Sequence, residues 1–145
     1  ASDAQHLSTE LSVRFSQDRP AIPSISLVTD TSALSAIGND FGFEFLFSRQ
    51  IEALGNAGDV AIGITTSGKS KNVINGLKVA KDNGLKCLAL TGKHIKDLEK
   101  YCDQVISVPA DNTSRIQEMH IMLGQMLCNA IEFKLGLAPL VIEEK

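Results

Sequence analysis

One stretch constrains the fold of this chain more than any other: Val60-Ala61-Ile62-Gly63-Ile64-Thr65-Thr66-Ser67-Gly68-Lys69-Ser70. Val60 to Ile64 is an apolar run of buried-strand length. Lys71 to Asn83 then has helical periodicity, with Val73, Leu77 and Ala80 on one face. The turn between them carries the hydroxyls of Thr65, Thr66, Ser67 and Ser70 around Gly68. At a helix start the first backbone N–H groups are unpaired and the dipole is positive, so an anion is stabilised there by backbone and side-chain donors together. A simple N-cap needs one hydroxyl. The surplus points to a phosphate.

Gly63 to Ser70 also fits the nucleotide-binding pattern G-x-x-x-x-G-K-[ST]. In such a loop the first glycine opens the turn, whereas Gly63 lies inside the apolar run with Ile64 beyond it. No later strand ends in an acidic residue for magnesium, since Cys87–Thr91 leads to Gly92 and Val105–Val108 leads to Pro109. A P-loop nucleotide binder is therefore the minor alternative.

From Asp59 the rhythm is strand, helix, strand, helix, strand: Val60–Ile64, Lys71–Asn83, Cys87–Thr91, a short helix near Ile95–Tyr101, and Val105–Val108. Such alternation, with mostly non-alternating apolar strands, predicts an α/β fold with a parallel sheet covered on both faces. Right-handed crossovers put the strand C-terminal ends, and the Thr65–Ser70 turn, at one edge.

Before this core, Ser2 with Gln5 reads as a capping box, and Leu7, Leu11 and Phe15 predict a first helix to about Phe15. Its other face carries His6 and Glu10, one turn apart. The sequence further predicts a loop over Arg19 to Pro23, a strand over Ser24 to Val28, and a helical turn over Thr31 to Ile37 stopped by Gly38. A loop follows over Asn39 to Phe43, then a helix over Glu44 to Leu54 ended by Gly55. The last helix, Ser114 to about Leu135, places Ile116, Met119, Leu123, Leu127, Ala130 and Ile131 on one stripe, with Ile121, Met122 and Phe133 off it. A helix apolar nearly all round is buried on more than one side, which suggests an oligomer interface. Its polar interruptions, including Gln125 and Asn129, must be hydrogen-bonded or bound to something. Ala138 to Lys145 reads as a loose tail.

At 145 residues, 43% apolar and 21% charged, the chain has the composition of one soluble domain. A net charge of −3 gives no electrostatic footprint for nucleic acid. No stretch approaches membrane-spanning length, and no signal peptide opens the chain. Cys87, Cys102 and Cys128 are odd in number and widely spaced, which fits three buried thiols in a cytoplasmic protein.

Taken together, Asp3-Ala4-Gln5-His6-x-x-x-Glu10, Gly38-Asn39-Asp40-Phe41-Gly42-Phe43, Gly63 to Ser70 and Arg115-Ile116-Gln117-Glu118-Met119-His120 resemble the sugar-isomerase (SIS) domain, and within it the bacterial phosphoheptose isomerases. The resemblance covers residues 1–137 as a single SIS domain. It implies a flavodoxin-like three-layer sandwich with a parallel sheet flanked by helices, and a cytoplasmic homotetramer with sites at subunit interfaces. The implied activity is isomerisation of sedoheptulose 7-phosphate to a heptose 7-phosphate for lipopolysaccharide, capsule or other glycan precursors. Thr65, Thr66, Ser67 and Ser70 would bind the sugar phosphate, and Asn39 and Asp40 would contact the sugar. His6 and Glu10 match zinc ligands, with Glu10 also placed to move a proton. Gln117 matches a residue touching metal and substrate. Aldose–ketose exchange wants such a set, because it needs a carboxylate base and positive or hydrogen-donating groups at the oxygens of an enediolate.

Two departures stand out. The family's helix, strand and Gly-rich phosphate loop that would precede Ala1 are missing, so the match begins in mid-motif and the chain is expected to be a truncated domain. Eight residues beyond Gln117 the enzymes carry a histidine, a metal ligand and second proton carrier, where this chain has Gln125. Glutamine is a poor zinc ligand and exchanges no proton at neutral pH. His120 lies about −60° around the helix from Gln117, whereas position 125 lies about +80° around and about 12 Å along it. His120 therefore reads as structural, and positions 117 and 125 serve one site only with help from a neighbouring subunit. A non-catalytic SIS module that binds a sugar phosphate or a protein is the alternative that Gln125 favours.

Overall fold

The computed structural model describes residues 1–138, so most of the expected C-terminal tail, residues 139–145, lies outside the described residues. The elements run α1 (Ser2–Ser12), α2 (Thr31–Asp40), a 3-10 turn (Phe43–Phe45), α3 (Ser48–Leu54), β1 (Val60–Thr65), α4 (Lys71–Asp82), β2 (Lys86–Thr91), α5 (Lys96–Glu99), β3 (Gln104–Ser107) and α6 (Thr113–Lys134). They form two compact units, one of Ala1–Thr29 with the segment from Ile121 onward, the other of Asp30–His120.

The second unit is the α/β part, a parallel sheet of order β1-β2-β3 flanked by helices, as the alternating rhythm predicts. Register pairs Thr65 with Thr91, and Thr91 with Ser107, so three hydroxyl residues stand in a row at the C-terminal edge. Each closes its own turn: Thr65 Oγ1 lies 2.8 Å from Ser70 Oγ, Thr91 Oγ1 donates to His94 O at 3.3 Å, and Ser107 Oγ donates to Gly92 O at 2.8 Å. Leu77 and Ala80 of α4 are buried, as the helical periodicity requires, together with Cys87, Ala89 and Leu90 of β2. Each fully buried leucine of this kind contributes about 1.5–3 kcal/mol. The close approach of α4 to β1 depends on Gly63, where a Cβ would stand 2.7 Å from Leu77 Cδ1 and 3.0 Å from Val73 Cγ1.

Several local expectations are corrected. Gly38 lies inside α2, which runs through Asn39 and Asp40, so those two residues close a helix and are not a loop. The stop is Gly42, whose φ of 105° only glycine adopts readily and whose N–H donates to Ile37 O at 3.0 Å. Instead of one helix from Glu44, the 3-10 turn precedes α3, and the buried Ser48 hydroxyl donates to Phe45 O at 3.2 Å.

In the first unit, α1 ends at Ser12, short of Phe15, and begins with Ser2 as its first helical residue after an Ala1 cap, so the capping box is not formed. The early stop has a cause in Arg19. Its guanidinium donates to the carbonyls of Glu10 and Leu11, both at 2.7 Å, and Ile22 N–H adds a bond to Leu11 O. These are carbonyls that a helix end leaves unsatisfied. Among the described residues Ser24 to Val28 joins no ladder of the β1-β2-β3 sheet; Leu27 and Val28 instead form a turn that Thr29 closes by donating its N–H and its hydroxyl to Ser26 O.

Along α6 the buried line is Ile116, His120, Gly124, Cys128 and Glu132, spaced four apart, and not the purely apolar stripe expected. Gly124 admits Leu7, since a Cβ there would lie 2.6 Å from Leu7 Cδ2, while Glu132 meets Arg19. Met119, Met122, Met126 and Phe133 are exposed instead. All three cysteines are free thiols, Cys102 half-buried and the others buried. Burial pushes the Cys102 and Cys128 thiols up to about 11, so neither is a nucleophile near neutral pH.

Candidate functional site

The hydroxyl-rich turn leads from the C-terminal end of β1 into the N-terminus of α4. Ser70 occupies the N-cap of α4, yet its side chain caps no backbone N–H of the helix and instead meets buried Thr65 Oγ1. No acidic residue sits in the first turn of α4, and Lys71 opens it. Ser67 Oγ, on an exposed side chain, accepts from Lys69 N–H at 3.1 Å and lies 3.5 Å from Thr65 Oγ1. The backbone turns back through Gly68, at φ 65° and pressed against the His94 carbonyl, where a Cβ would stand only 2.0 Å from the oxygen. We expect Gly68→Ala to cost about 2 kcal/mol or more in urea unfolding, through left-handed strain and this clash together. A change of only a few tenths would mean the turn relaxes freely.

The same geometry disposes of the nucleotide-loop alternative. Gly63 is buried in mid-strand under α4 and opens no loop.

Beside the turn is a cleft of about 390 Å³ lined by Gly42, Phe43, Glu44, Ser70, Lys71 and Asn72. Its far wall is the peptide that follows Asn39 and Asp40, two exposed residues in the last turn of α2. Lys71, Asn72 and Glu44 were not singled out in the sequence. The one signal for Lys71 was its place directly after the last hydroxyl of the turn.

In the first unit the structure brings His6, Glu10 and Gln125 together. His6 Nε2 lies 2.9 Å from Glu10 Oε1, as their one-turn spacing on α1 allows. Gln125 Nε2 lies 2.6 Å from His6 Nε2 and donates to Glu10 Oε1 at 3.3 Å. With the imidazole proton on Nδ1, the two amide hydrogens of Gln125 face these two acceptors, one each. Two acceptors tied 2.9 Å apart by one amide can share a proton delivered to either. His6 is half exposed and Glu10 about one-fifth exposed, so both reach solvent.

Gln117 is exposed on the first half of α6, eight residues before Gln125 on the same continuous helix. His120 is fully buried, and among the described residues neither ring nitrogen has a hydrogen-bond partner. Asn129 falls short of expectation: its Oδ1 is buried with no partner among the described residues.

A family model described as the SIS domain matches residues 1–92. The chain belongs to the SIS domain family. Among relatives of this SIS domain, phosphoheptose isomerase 1 of Campylobacter jejuni is 58% identical over 132 residues, covering 91% of this chain and 71% of that protein. Phosphoheptose isomerase of Sulfurimonas denitrificans is 52% identical, covering 91% and 68%. The structure of phosphoheptose isomerase from Neisseria gonorrhoeae superposes with a TM-score of 0.83 at 42% identity, covering 90% of this chain and 70% of that one. The Francisella tularensis enzyme gives 0.84 at 36% identity, covering 90% and 72%. The three-layer α/β architecture expected of a SIS domain is thus the one observed.

The zinc that the resemblance implies finds a poor fit in the first unit of this SIS domain. Zinc holds ligand atoms at about 2.0–2.2 Å in a tetrahedron, which sets them roughly 3.3–3.5 Å from each other. Here the three polar atoms stand 2.6, 2.9 and 3.3 Å apart, at hydrogen-bonding separations. One of them is an amide nitrogen, which is no zinc ligand. Among the described residues no group of three or more His, Cys, Asp or Glu could hold a metal ion.

Proposed function

We propose that this SIS domain is an aldose–ketose isomerase that interconverts sedoheptulose 7-phosphate and D-glycero-D-manno-heptose 7-phosphate. The observation that carries it is a solvent-reachable carboxylate, Glu10, held 2.9 Å from an imidazole in a chain 58% identical over 132 residues to a phosphoheptose isomerase. In this reading Glu10 takes a proton from C1 of the ketose. The C–H electron pair becomes the C1=C2 bond, and the carbonyl pair moves to O2. Return of the proton to C2, with transfer of the O1 proton to O2, gives the aldose. One carboxylate suffices for both carbon steps, because the proton leaves and returns between adjacent atoms. His6 Nε2 is the neighbour that shares the proton while Glu10 holds it. The Gln125 amide offers hydrogen bonds but no proton.

Thr65, Thr66, Ser67 and Ser70 bind the phosphate at the α4 N-terminus, and Lys71 adds charge. Asn39, Asp40 and Gln117 contact the sugar. The domain works as a cytoplasmic homotetramer with sites at subunit interfaces, serving lipopolysaccharide, capsule or other glycan precursors. The exposed face of Met122, Met126 and Phe133 on α6 supports association, and no helix among the described residues is long and apolar enough to cross a membrane.

The test is conversion of sedoheptulose 7-phosphate followed by NMR. Appearance of the aldose 7-phosphate is expected. Binding of the sugar phosphate without any turnover would instead make the domain a sugar-phosphate sensor, the alternative that Gln125 favours. Ser67→Ala should weaken binding of phosphorylated sugars by about 1.5–3 kcal/mol if a hydrogen bond to a charged phosphate is lost. Calorimetry giving unchanged affinity would remove Ser67 from the phosphate site.

A further inference from the structure

We propose that in this chain the Gln125 carboxamide stands where a divalent cation would otherwise join His6 to Glu10, making the trio a metal-independent, hydrogen-bonded site. This inference rests on the isomerase reading for the use of the trio, but not for its metal chemistry. A cation and an amide NH2 can perform the same organising task, since each presents positive charge to two electron-rich atoms at once. They differ in the distances they impose. A metal would spread imidazole nitrogen and carboxylate oxygen around itself, whereas an amide leaves them in contact, and contact at 2.9 Å is what this chain has. With the imidazole proton on Nδ1, both amide hydrogens are engaged, at 2.6 Å to His6 Nε2 and 3.3 Å to Glu10 Oε1, so the lone pairs that a metal would need already have donors.

To act as a ligand, Gln125 would have to turn its oxygen inward. That gives up both hydrogen bonds and sets three acceptors face to face, in exchange for one weak neutral ligand. Among the described residues no group of three or more His, Cys, Asp or Glu completes a ligand set around His6 and Glu10. Cys128, one turn-fraction along α6, is a buried thiol on the line of residues packed inward, and its raised pKa opposes the thiolate that zinc requires. The ligand class that fits the trio as built is a neutral polyol or enediol, whose hydroxyls donate to the Gln125 carbonyl oxygen and to the remaining lone pairs of Glu10.

The experiment is calorimetric titration of the whole chain with zinc chloride alone, beside Gln125→His and Gln125→Glu. The parent should show no stoichiometric site, and a folded variant should gain zinc affinity by more than the roughly 10–100-fold that supporting residues of a metal site are worth. One zinc bound per parent chain, lost in Gln125→Ala, would overturn the proposal. So would the absence of any gain in both folded variants, because the amide would then not occupy the cation position. Turnover by the parent should also be unchanged, within twofold, after chelation with EDTA, and a tenfold loss restored by zinc would overturn it equally. A parent without turnover under any condition would count against the isomerase reading, while the zinc titration, which uses no sugar, would still decide the metal question.

Discussion

Glu10→Gln is expected to lower kcat for sedoheptulose 7-phosphate by about 10²–10⁴-fold, the usual worth of a positioned general base. The substitution removes the charge and the basic lone pair but keeps the length and shape of the side chain. Glu10 is partly exposed, so no buried charge is left stranded, and urea unfolding should move by no more than about 0.5 kcal/mol. KM should change little, because the phosphate and most sugar hydroxyls are held by other groups. The loss then falls on kcat and kcat/KM alike, which marks an interaction made in the transition state. Retention of more than about a tenth of parental turnover would assign proton transfer elsewhere, and His6, at 2.9 Å, would be the first residue to test.

The reach of the sequence is visible in which of these residues it could locate. The βα unit around Thr65–Ser70 was legible because strand, turn and helix are contiguous, and each signals itself through periodicity and hydroxyl chemistry. The pairing of His6 with Glu10 was legible for the same reason, being one turn of one helix. The contact of Gln125 with both was not, since it spans more than a hundred residues, and only resemblance singled out position 125. Boundaries failed where tertiary bonds override local preference. Gly38 is a plausible stop that the chain passes through, because Asp30 caps α2 by accepting from Ala33 N–H and Gly42 ends it. Ser24 to Val28 has the composition of a strand, but strand formation belongs to a ladder and not to a segment. On α6, amphipathic counting chose apolar residues for the buried line, whereas the structure buries a histidine, a glycine and a glutamate there. Each is small or has its polarity answered by a distant partner, save His120.

Glu132 makes that last point energetically. Glu132→Ala is expected to destabilise the fold by about 3–5 kcal/mol, the cost of leaving a buried charge unpaired, and Arg19→Ala by a similar amount. Both side chains are essentially inaccessible, and Arg19 Nε donates to Glu132 Oε1 at 2.7 Å. Burial pushes the Glu132 carboxyl up, but hydrogen bonds from Arg19, the Ser16 hydroxyl and the Phe15 N–H outweigh it and hold the group below the usual carboxylate range. A folded-state pKa depressed below the unfolded value contributes stability that is present above the unfolded pKa, about 4.3, and is lost as pH falls through the folded one. Urea midpoints of the parent should therefore fall on acidification below about pH 4 more steeply than those of an Arg19→Met, Glu132→Leu double variant, which has no charge pair to lose. The same network bears on chemistry through geometry, because the Arg19 guanidinium that binds Glu132 also binds the carbonyl of Glu10 at 2.7 Å. Arg19 is thus a positioning residue, fixing the end of α1 from which the Glu10 carboxylate projects. In the double variant, if apolar packing restores stability, kcat should remain depressed with KM little changed. Parental kcat in that variant would show that packing alone suffices to place Glu10.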